Sequence, residues 1–147
     1  MSFYSVTNPT TFSVVSDTRK QLVNPGKLTR FPATQQFSSA ATLTAEQLIA
    51  GNIIGDTSSA GFQLTLPSAT DLITLLMGPG GFDVSSNDIF TFRIFNTNGG
   101  ANNVVVKINA STGEANTGSD ITIAPGANKP VNIQITVSGS SYSYAMF

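Results

Sequence analysis

The stretch VNIQITVS, residues 131–138, decides the fold, because apolar and polar residues alternate in it without a break. Its apolar residues, at every second position from Val131 to Val137, would lie on one face of a β-strand. The turn GSS (139–141) follows, and YSYAMF (142–147) then predicts a second strand. Together these segments predict a β-hairpin that faces the core on one side.

Further strands are predicted on the N-terminal side of this hairpin. They are GFQLTL (61–66), IFTFRIF (89–95), VVVKIN (104–109) and DITIA (120–124). The turn NTNGG (96–100) joins the second of these strands to the third, so we expect those two strands to pair. Strands at this spacing, separated by turns rich in Gly and Asn, are typical of a β-sandwich or barrel. The predicted fold class is therefore mainly β.

Two short helices are predicted before the last strands. TAEQ (44–47) is a capping box, and Gly51 is expected to end the helix that it begins. SATD (68–71) repeats this arrangement ahead of LITLLM (72–77), where Gly78 is the expected end. In the second helix we expect the apolar face to consist of Leu72, Leu75 and Leu76.

Residues 1–38 are predicted to be an extended N-terminal arm, and residues 39–147 a β-rich body. Prolines at positions 9, 25 and 32 favour extended or turn geometry in the arm. The candidate docking residues of the arm are Phe12, Arg19, Lys20, Lys27, Arg30 and Phe31. Two interpretations remain open: the arm is pinned to its own body, or it docks on a neighbouring subunit or a scaffold.

Charge is scarce and unevenly distributed. Only 10% of the residues are charged, whereas about 25% is usual for soluble domains. The arm has four basic residues against Asp17 alone, and the rest of the chain has three basic residues against seven acidic ones. A weakly charged surface suits a protein that packs against other subunits, although many extracellular β proteins share it.

The residue types argue against an enzyme. The chain has no His and no Cys, which excludes Ser-His-Asp and Cys-His catalysis and the common zinc sites. A carboxylate pair for glycoside hydrolysis is the remaining option, but the eight acids are scattered. Asp83, Asn87 and Asp88 lack the pattern of a calcium loop. We therefore predict no catalytic residues, no cofactor and no metal.

Neither nucleic acid nor a membrane is a predicted partner. Four basic residues in the arm without a stacking platform make a weak site for phosphates. The longest apolar run, residues 72–77, is far shorter than the roughly 20 residues of a membrane span. The first residues, MSFYS, carry no signal-peptide pattern, so we expect a soluble product made in the cytoplasm.

Tyr142 and Tyr144 lie on the same face of the last predicted strand. The preferred interpretation is that this face contacts another subunit. A sugar-binding patch is the alternative, because Tyr is common in contacts with carbohydrate and with protein.

One part of the chain resembles a known pattern. TLTAEQLIAGNII (42–54), followed by LTLPSAT (64–70), is similar to a TLTA-QLL-G-I … TLP-A pattern in virion proteins of tailed phages and large DNA viruses. DIFTFRIFNT (88–97) and TIAPG (122–126) resemble the D-F-FRI-NT and T-APG segments of those proteins. The resemblance covers residues 40–147 and rests on helix caps, core positions and turns.

The resemblance implies a jelly-roll-like β domain that forms trimers on a capsid surface or at the end of a fibre. The expected function is a capsid decoration, or cement, protein on the virion exterior. It would bind and stabilise the major capsid lattice as a homotrimer, with the arm reaching across capsid subunits. The alternative is the receptor-binding head of a viral fibre or spike, with glycan affinity in the loops at 96–103 and 111–119. A secreted lectin-like domain is a further alternative, against which the missing signal peptide argues.

Overall fold

The computed structural model describes residues 34–78, 81, 83–110 and 113–147. These residues form two β-sheets, two short helices and the loops between them. The mainly β fold class with two short helices is therefore confirmed. In chain order the elements are β1 (Gln35–Phe37), β2 (Ala41–Thr42), α1 (Ala45–Ile49), β3 (Asn52–Gly55), β4 (Phe62–Thr65), α2 (Ala69–Leu76), β5 (Ile89–Asn96), β6 (Val104–Lys107), β7 (Thr117–Gly118), β8 (Ile121–Ile123), β9 (Asn128–Ser138) and β10 (Ser141–Met146).

The two sheets form the layers of a sandwich. One sheet has six strands in the order β1-β3-β5-β9-β10-β7, and the other has four in the order β2-β4-β6-β8. Buried residues from both sheets and both helices belong to one hydrophobic core. A jelly roll is built from antiparallel strands, and the parallel pairs β3–β5 and β4–β6 depart from that pattern.

The hairpin predicted at the end of the chain is confirmed as β9 and β10. Val131, Ile133 and Ile135 are buried, and Ser138 pairs with Ser141 across a two-residue loop. Gly139 has a φ of +60°, a backbone conformation that is unfavourable for residues with a side chain. A Gly at the first loop position matches the turn that two-residue hairpins favour.

The predicted pairing of strands 89–95 and 104–109 is wrong. β5 lies between β3 and β9, whereas β6 lies between β4 and β8 in the other sheet. The connection crosses between the sheets at Asn96, which is fully buried. Its Nδ2 donates to the carbonyl oxygens of Asn102 and Ile123 at 3.0 and 3.1 Å. The buried Asn96 side chain thus hydrogen-bonds to backbone carbonyls beside the point at which the chain changes sheets.

The capping box predicted at Thr44 is confirmed, whereas at Ser68 the structure shows only the N-cap hydrogen bond of that arrangement. In α1 the Thr44 Oγ1 accepts from the Gln47 amide at 3.2 Å, and the Gln47 side chain accepts from the Thr44 amide at 2.9 Å. Ser68 caps α2 by accepting from the Asp71 amide at 3.0 Å. No helix in the described part of the chain has the length and apolar character needed to cross a membrane.

The predicted apolar face of α2 needs one correction. Leu72 and Leu76 are buried as expected, but Ile73 is the third core residue and Leu75 is 39% exposed. At 3.6 residues per turn, Ala69, Leu72, Ile73 and Leu76 share one stripe and Leu75 lies beside it.

The described residues include the end of the predicted arm, residues 34–38. Strand β1 pairs in parallel with β3, with Gln36 opposite Ile54, so these residues belong to the sheet. The other residues of the predicted arm, 1–33, lie outside the described residues.

Candidate functional site

The side of the six-stranded sheet that points away from the core is the candidate site, and we call it the outer face. Strand register shows which side chains stand next to one another on it. From β3, β5, β9, β10 and the residue after β10 it comprises Asn52, Ile54, Ile89, Thr91, Arg93, Phe95, Asn128, Pro130, Asn132, Gln134, Thr136, Ser143, Ala145 and Phe147.

Large hydrophobic side chains concentrate on the outer face. Ile89, Phe95 and Phe147 are 57%, 41% and 56% exposed, and among the described residues only Leu75 and Met77 are comparable elsewhere. Ile54 stands next to Phe95 in register and enlarges the apolar surface there. Ile89 and Phe95 lie near opposite ends of β5, so the exposed hydrophobic residues are spread over the face. Several exposed large hydrophobic residues on one face suit a surface that another molecule covers.

Charge is nearly absent from the outer face. Arg93 is its single charged residue, and its Nε donates to the Asn128 Oδ1 at 3.1 Å. One row further along, the Thr91 hydroxyl donates to the Asn132 Oδ1 at 2.9 Å. The polar side chains are thus partly satisfied within the face itself, which lowers the cost of removing it from water.

The sheet edges offer little surface by comparison. The six-stranded sheet ends in β1 and β7, of three and two residues. The four-stranded sheet ends in β2 and β8, of two and three residues. Short edge strands limit the addition of a strand from another chain. The extended surface on the six-stranded sheet is therefore its outer face.

Tyr144 does not contribute to a surface, which corrects the prediction of a subunit contact for this residue. Its side chain is 1% exposed, and its hydroxyl donates to the Pro67 carbonyl oxygen at 3.0 Å. The Tyr144 hydroxyl oxygen also accepts from the Asn109 amide at 3.3 Å. Burial raises the pKa of Tyr144 to about 12. The alternation along β10 points Tyr144 inward, opposite Ile135, where the core surrounds it.

Tyr142 is half-buried and lies in a cleft of about 430 Å³, which we call the hydroxyl cleft. The hairpin of β9 and β10, the start of α2 and the loop before β7 form its walls. The lining residues are Thr70, Gly113, Glu114, Ala115, Ser138, Ser140, Ser141, Tyr142 and Ser143. A contact between Tyr142 and another subunit stays a prediction.

Glu114 in this cleft is a structural residue that the sequence did not reveal. Its carboxylate accepts from the backbone amides of Ala69 and Thr70 at 2.7 and 2.9 Å. It also accepts from the Thr70 hydroxyl at 2.7 Å and from the Asn116 Nδ2 at 2.9 Å. Partial burial by itself would raise the pKa of Glu114, but these hydrogen bonds outweigh it and lower the pKa to about 2. A partner 45 positions away in the chain leaves no local sequence signal.

The remaining predicted site residues are the docking residues of the arm and the acidic residues near position 88. The docking residues of the arm, from Phe12 to Phe31, lie outside the described residues and stay predictions. Asp88 accepts from the Ser85 amide at 2.8 Å through its Oδ2. Within the described ranges, no three acidic, His or Cys side chains lie close enough together to hold a metal ion.

Comparison with protein families, curated proteins and solved structures finds no match for this chain. Function is therefore inferred from the geometry of the outer face and from the residue patterns.

Proposed function

We propose that the protein is a virion structural protein, a capsid decoration protein that binds and stabilises the major capsid lattice as a trimer. The observation that carries the proposal is the outer face, which combines three exposed large hydrophobic residues with a single charge. Such a surface suits a protein that works while packed against other subunits.

The magnitude of the apolar contact agrees with a role in a large assembly. Burying a fully exposed Phe or Ile side chain stabilises by about 1.5–3 kcal/mol. Ile89, Phe95 and Phe147 are already about half covered, so together they contribute about 2–5 kcal/mol. Association costs about 4–15 kcal/mol, so one such contact is weak. Closed symmetry and many equal sites on a lattice make weak contacts durable.

The N-terminal arm supplies the second contact in this proposal. Its basic residues Arg19, Lys20, Lys27 and Arg30 suit an acidic groove between capsid subunits, and Phe12 and Phe31 are the apolar anchors. The resemblance of residues 40–147 to virion proteins supports the same function.

Deletion of residues 1–33 tests this function. Because β1 begins at Gln35, the shortened protein keeps its edge strand, and its thermal unfolding is expected to match that of the full chain. Co-sedimentation with purified capsids that lack the protein should show binding by the full chain and loss of binding by the deletion variant. Full-chain protein that fails to sediment with such capsids would contradict the proposed function.

A receptor-binding fibre head is the second candidate, and the hydroxyl cleft favours it. Tyr142 lies there beside Ser140 and Ser143, next to the loop predicted to bind glycans. An aromatic ring surrounded by hydroxyls is a surface chemistry that suits neutral sugars. The test is a glycan array with the full chain and with Tyr142→Ala. Binding of neutral glycans that disappears in the variant would support this candidate, and an array without signal would exclude it.

A further inference from the structure

We infer that copies of this chain contact one another through the outer face, each copy directing this surface toward a shared symmetry axis. The inference deepens the proposed function and rests on it, since it names the partner that covers the face. The observations behind it are the near-absence of charge, the size of the surface and the different chemistry of the opposite layer.

Identical surfaces meet most easily when they carry few charges. Around a symmetry axis each residue lies near copies of itself or of its neighbours on the same face. A face with many cations would repel its copies, whereas an acidic partner would be matched by a face with several cations. The outer face has only Arg93, and it lies between Asn52 and Pro130 in register, away from the end of β5 that carries Ile89. This composition fits a second copy better than an oppositely charged partner.

The size of the outer face suits a contact between subunits. Strands about 4.8 Å apart with a rise of about 3.3 Å per residue give β3, β5, β9 and β10 a projected area of roughly 500 Å². Side chains standing on a sheet expose more surface than this projection. The result is of the order of the roughly 800 Å² that each partner contributes to a standard interface.

The opposite layer of the sandwich has a different surface. Lys107 and Asp120 form a salt bridge there at 3.2 Å, with side chains 38% and 51% exposed. None of the exposed large hydrophobic residues among the described residues lies on β2, β4, β6 or β8. Among the described residues this layer thus exposes one ion pair and no large hydrophobic side chain, which suits a surface that stays in water. It also provides matched positions for control variants.

Charge complementation at Thr91 tests the inference. Thr91 is exposed in the middle of the outer face, opposite Asn132. In the full chain, Thr91→Asp alone and Thr91→Lys alone should each weaken self-association about tenfold or more, because like charges then face one another. An equimolar mixture of the two variants should regain most of the association and form hybrid oligomers. Native mass spectrometry and sedimentation equilibrium measure both effects.

Thr122 provides the matched control, since it is an exposed Thr on β8 in the opposite layer. Thr122→Asp and Thr122→Lys should leave the oligomeric mass and its concentration dependence unchanged. Circular dichroism and thermal unfolding check that all four variants fold.

Several results would overturn the inference. These are a full chain that stays monomeric at all concentrations, Thr91 variants that associate like the wild type, or folded Thr91 variants whose mixture stays dissociated. A monomeric full chain that still binds capsids would leave capsid decoration standing and would remove the trimer together with this inference. An oligomer that is weakened by a charge at position 91 but does not bind capsids would support this inference and contradict the proposed function.

Discussion

Glu114 shows at the scale of a single residue how a loop is attached to a helix. Its carboxylate accepts from the first amides of α2, which have no partners within the helix. It is also a negative charge at the positive end of the helix dipole. The carboxylate therefore fastens the loop before β7 to the start of α2.

Replacement of Glu114 by Gln is expected to lower the free energy of unfolding by about 1–2 kcal/mol, because charge-assisted hydrogen bonds become neutral ones. Urea denaturation at pH 7 measures the change. Glu46→Gln is the matched control: Glu46 is an exposed acid in the first turn of α1, and its replacement should have little effect. Equal losses in the two variants would contradict the role assigned to Glu114.

Because the pKa of Glu114 is lowered in the folded protein, the free energy of unfolding is expected to depend on pH. The pKa of Glu114 falls from its ordinary value of 4.5 to about 2 on folding. Its stabilising contribution is therefore present above pH 4.5 and is lost as the pH falls toward 2. Denaturation midpoints of the wild type and Glu114→Gln should converge across this window. Midpoints that stay equally far apart down to pH 2 would show that the carboxylate is not the cause.

Tyr144 offers a second test at this scale, because its buried hydroxyl bridges two parts of the backbone. Tyr144→Phe leaves the Pro67 carbonyl without this donor and is expected to cost about 1–2 kcal/mol. Thermal unfolding measures the loss. Tyr142→Phe removes a hydroxyl from a half-buried ring at the cleft and should change stability little. The oligomeric mass of the Tyr144 variant should stay unchanged, since this side chain reaches no surface.

At the scale of elements, the orientation of α2 is the feature most open to measurement. Leu72→Ala removes a fully buried side chain and is expected to cost about 2–5 kcal/mol. Leu75→Ala, in the same helix, should cost less than about 1 kcal/mol, since Leu75 is 39% exposed. Chemical denaturation of both variants compares them directly. Equal costs would mean that both leucines belong to the core, as the spacing alone suggested.

Local patterns predicted both helices, the longer strands and the final hairpin, but not the short strands β1, β2, β3 and β7 or the neighbours of β5 and β6. The alternation in β9 and the capping residues of both helices act over a few positions, so Thr44, Ser68 and Gly139 could be interpreted from sequence. The strands that pair with β6 are determined by how the two sheets pack together in the core. The turn-like segment NTNGG (96–100) before β6 does not indicate which strands these are. Glu114 was missed for the same reason, since its partners in α2 are distant in the chain.

The composition of the outer face also depends on which strands are neighbours, and so could not be predicted from local patterns. Alternation identifies the residues that leave the core, but strand order decides which of them become neighbours. Ile54 and Phe95 lie side by side only because β3 pairs with β5. The concentration of hydrophobic residues on one face therefore became visible only in the folded arrangement.

At the scale of the whole molecule, the two proposed contacts differ in their response to salt. Self-association through the outer face is mainly apolar and should change little between 0.05 and 0.5 M NaCl, a range over which screening lengths fall from about 14 to 4 Å. Capsid binding by the basic arm should weaken over the same range. Sedimentation measures both with the full chain. Self-association that falls as steeply as capsid binding would indicate a charged contact between copies.

The pairing of distant segments in both sheets also bears on how quickly the protein folds. Ile53 pairs with Ile94, Phe62 with Val104 and Ile89 with Gln134, so neither sheet can be completed from local hairpins alone. In such a chain, residues that are far apart in sequence must meet before their contacts stabilise the fold, and closing these loops costs entropy. Chains of this kind fold on the scale of milliseconds to seconds. During that interval the apolar strands stay exposed, so the incompletely folded chain is the stage most prone to aggregation.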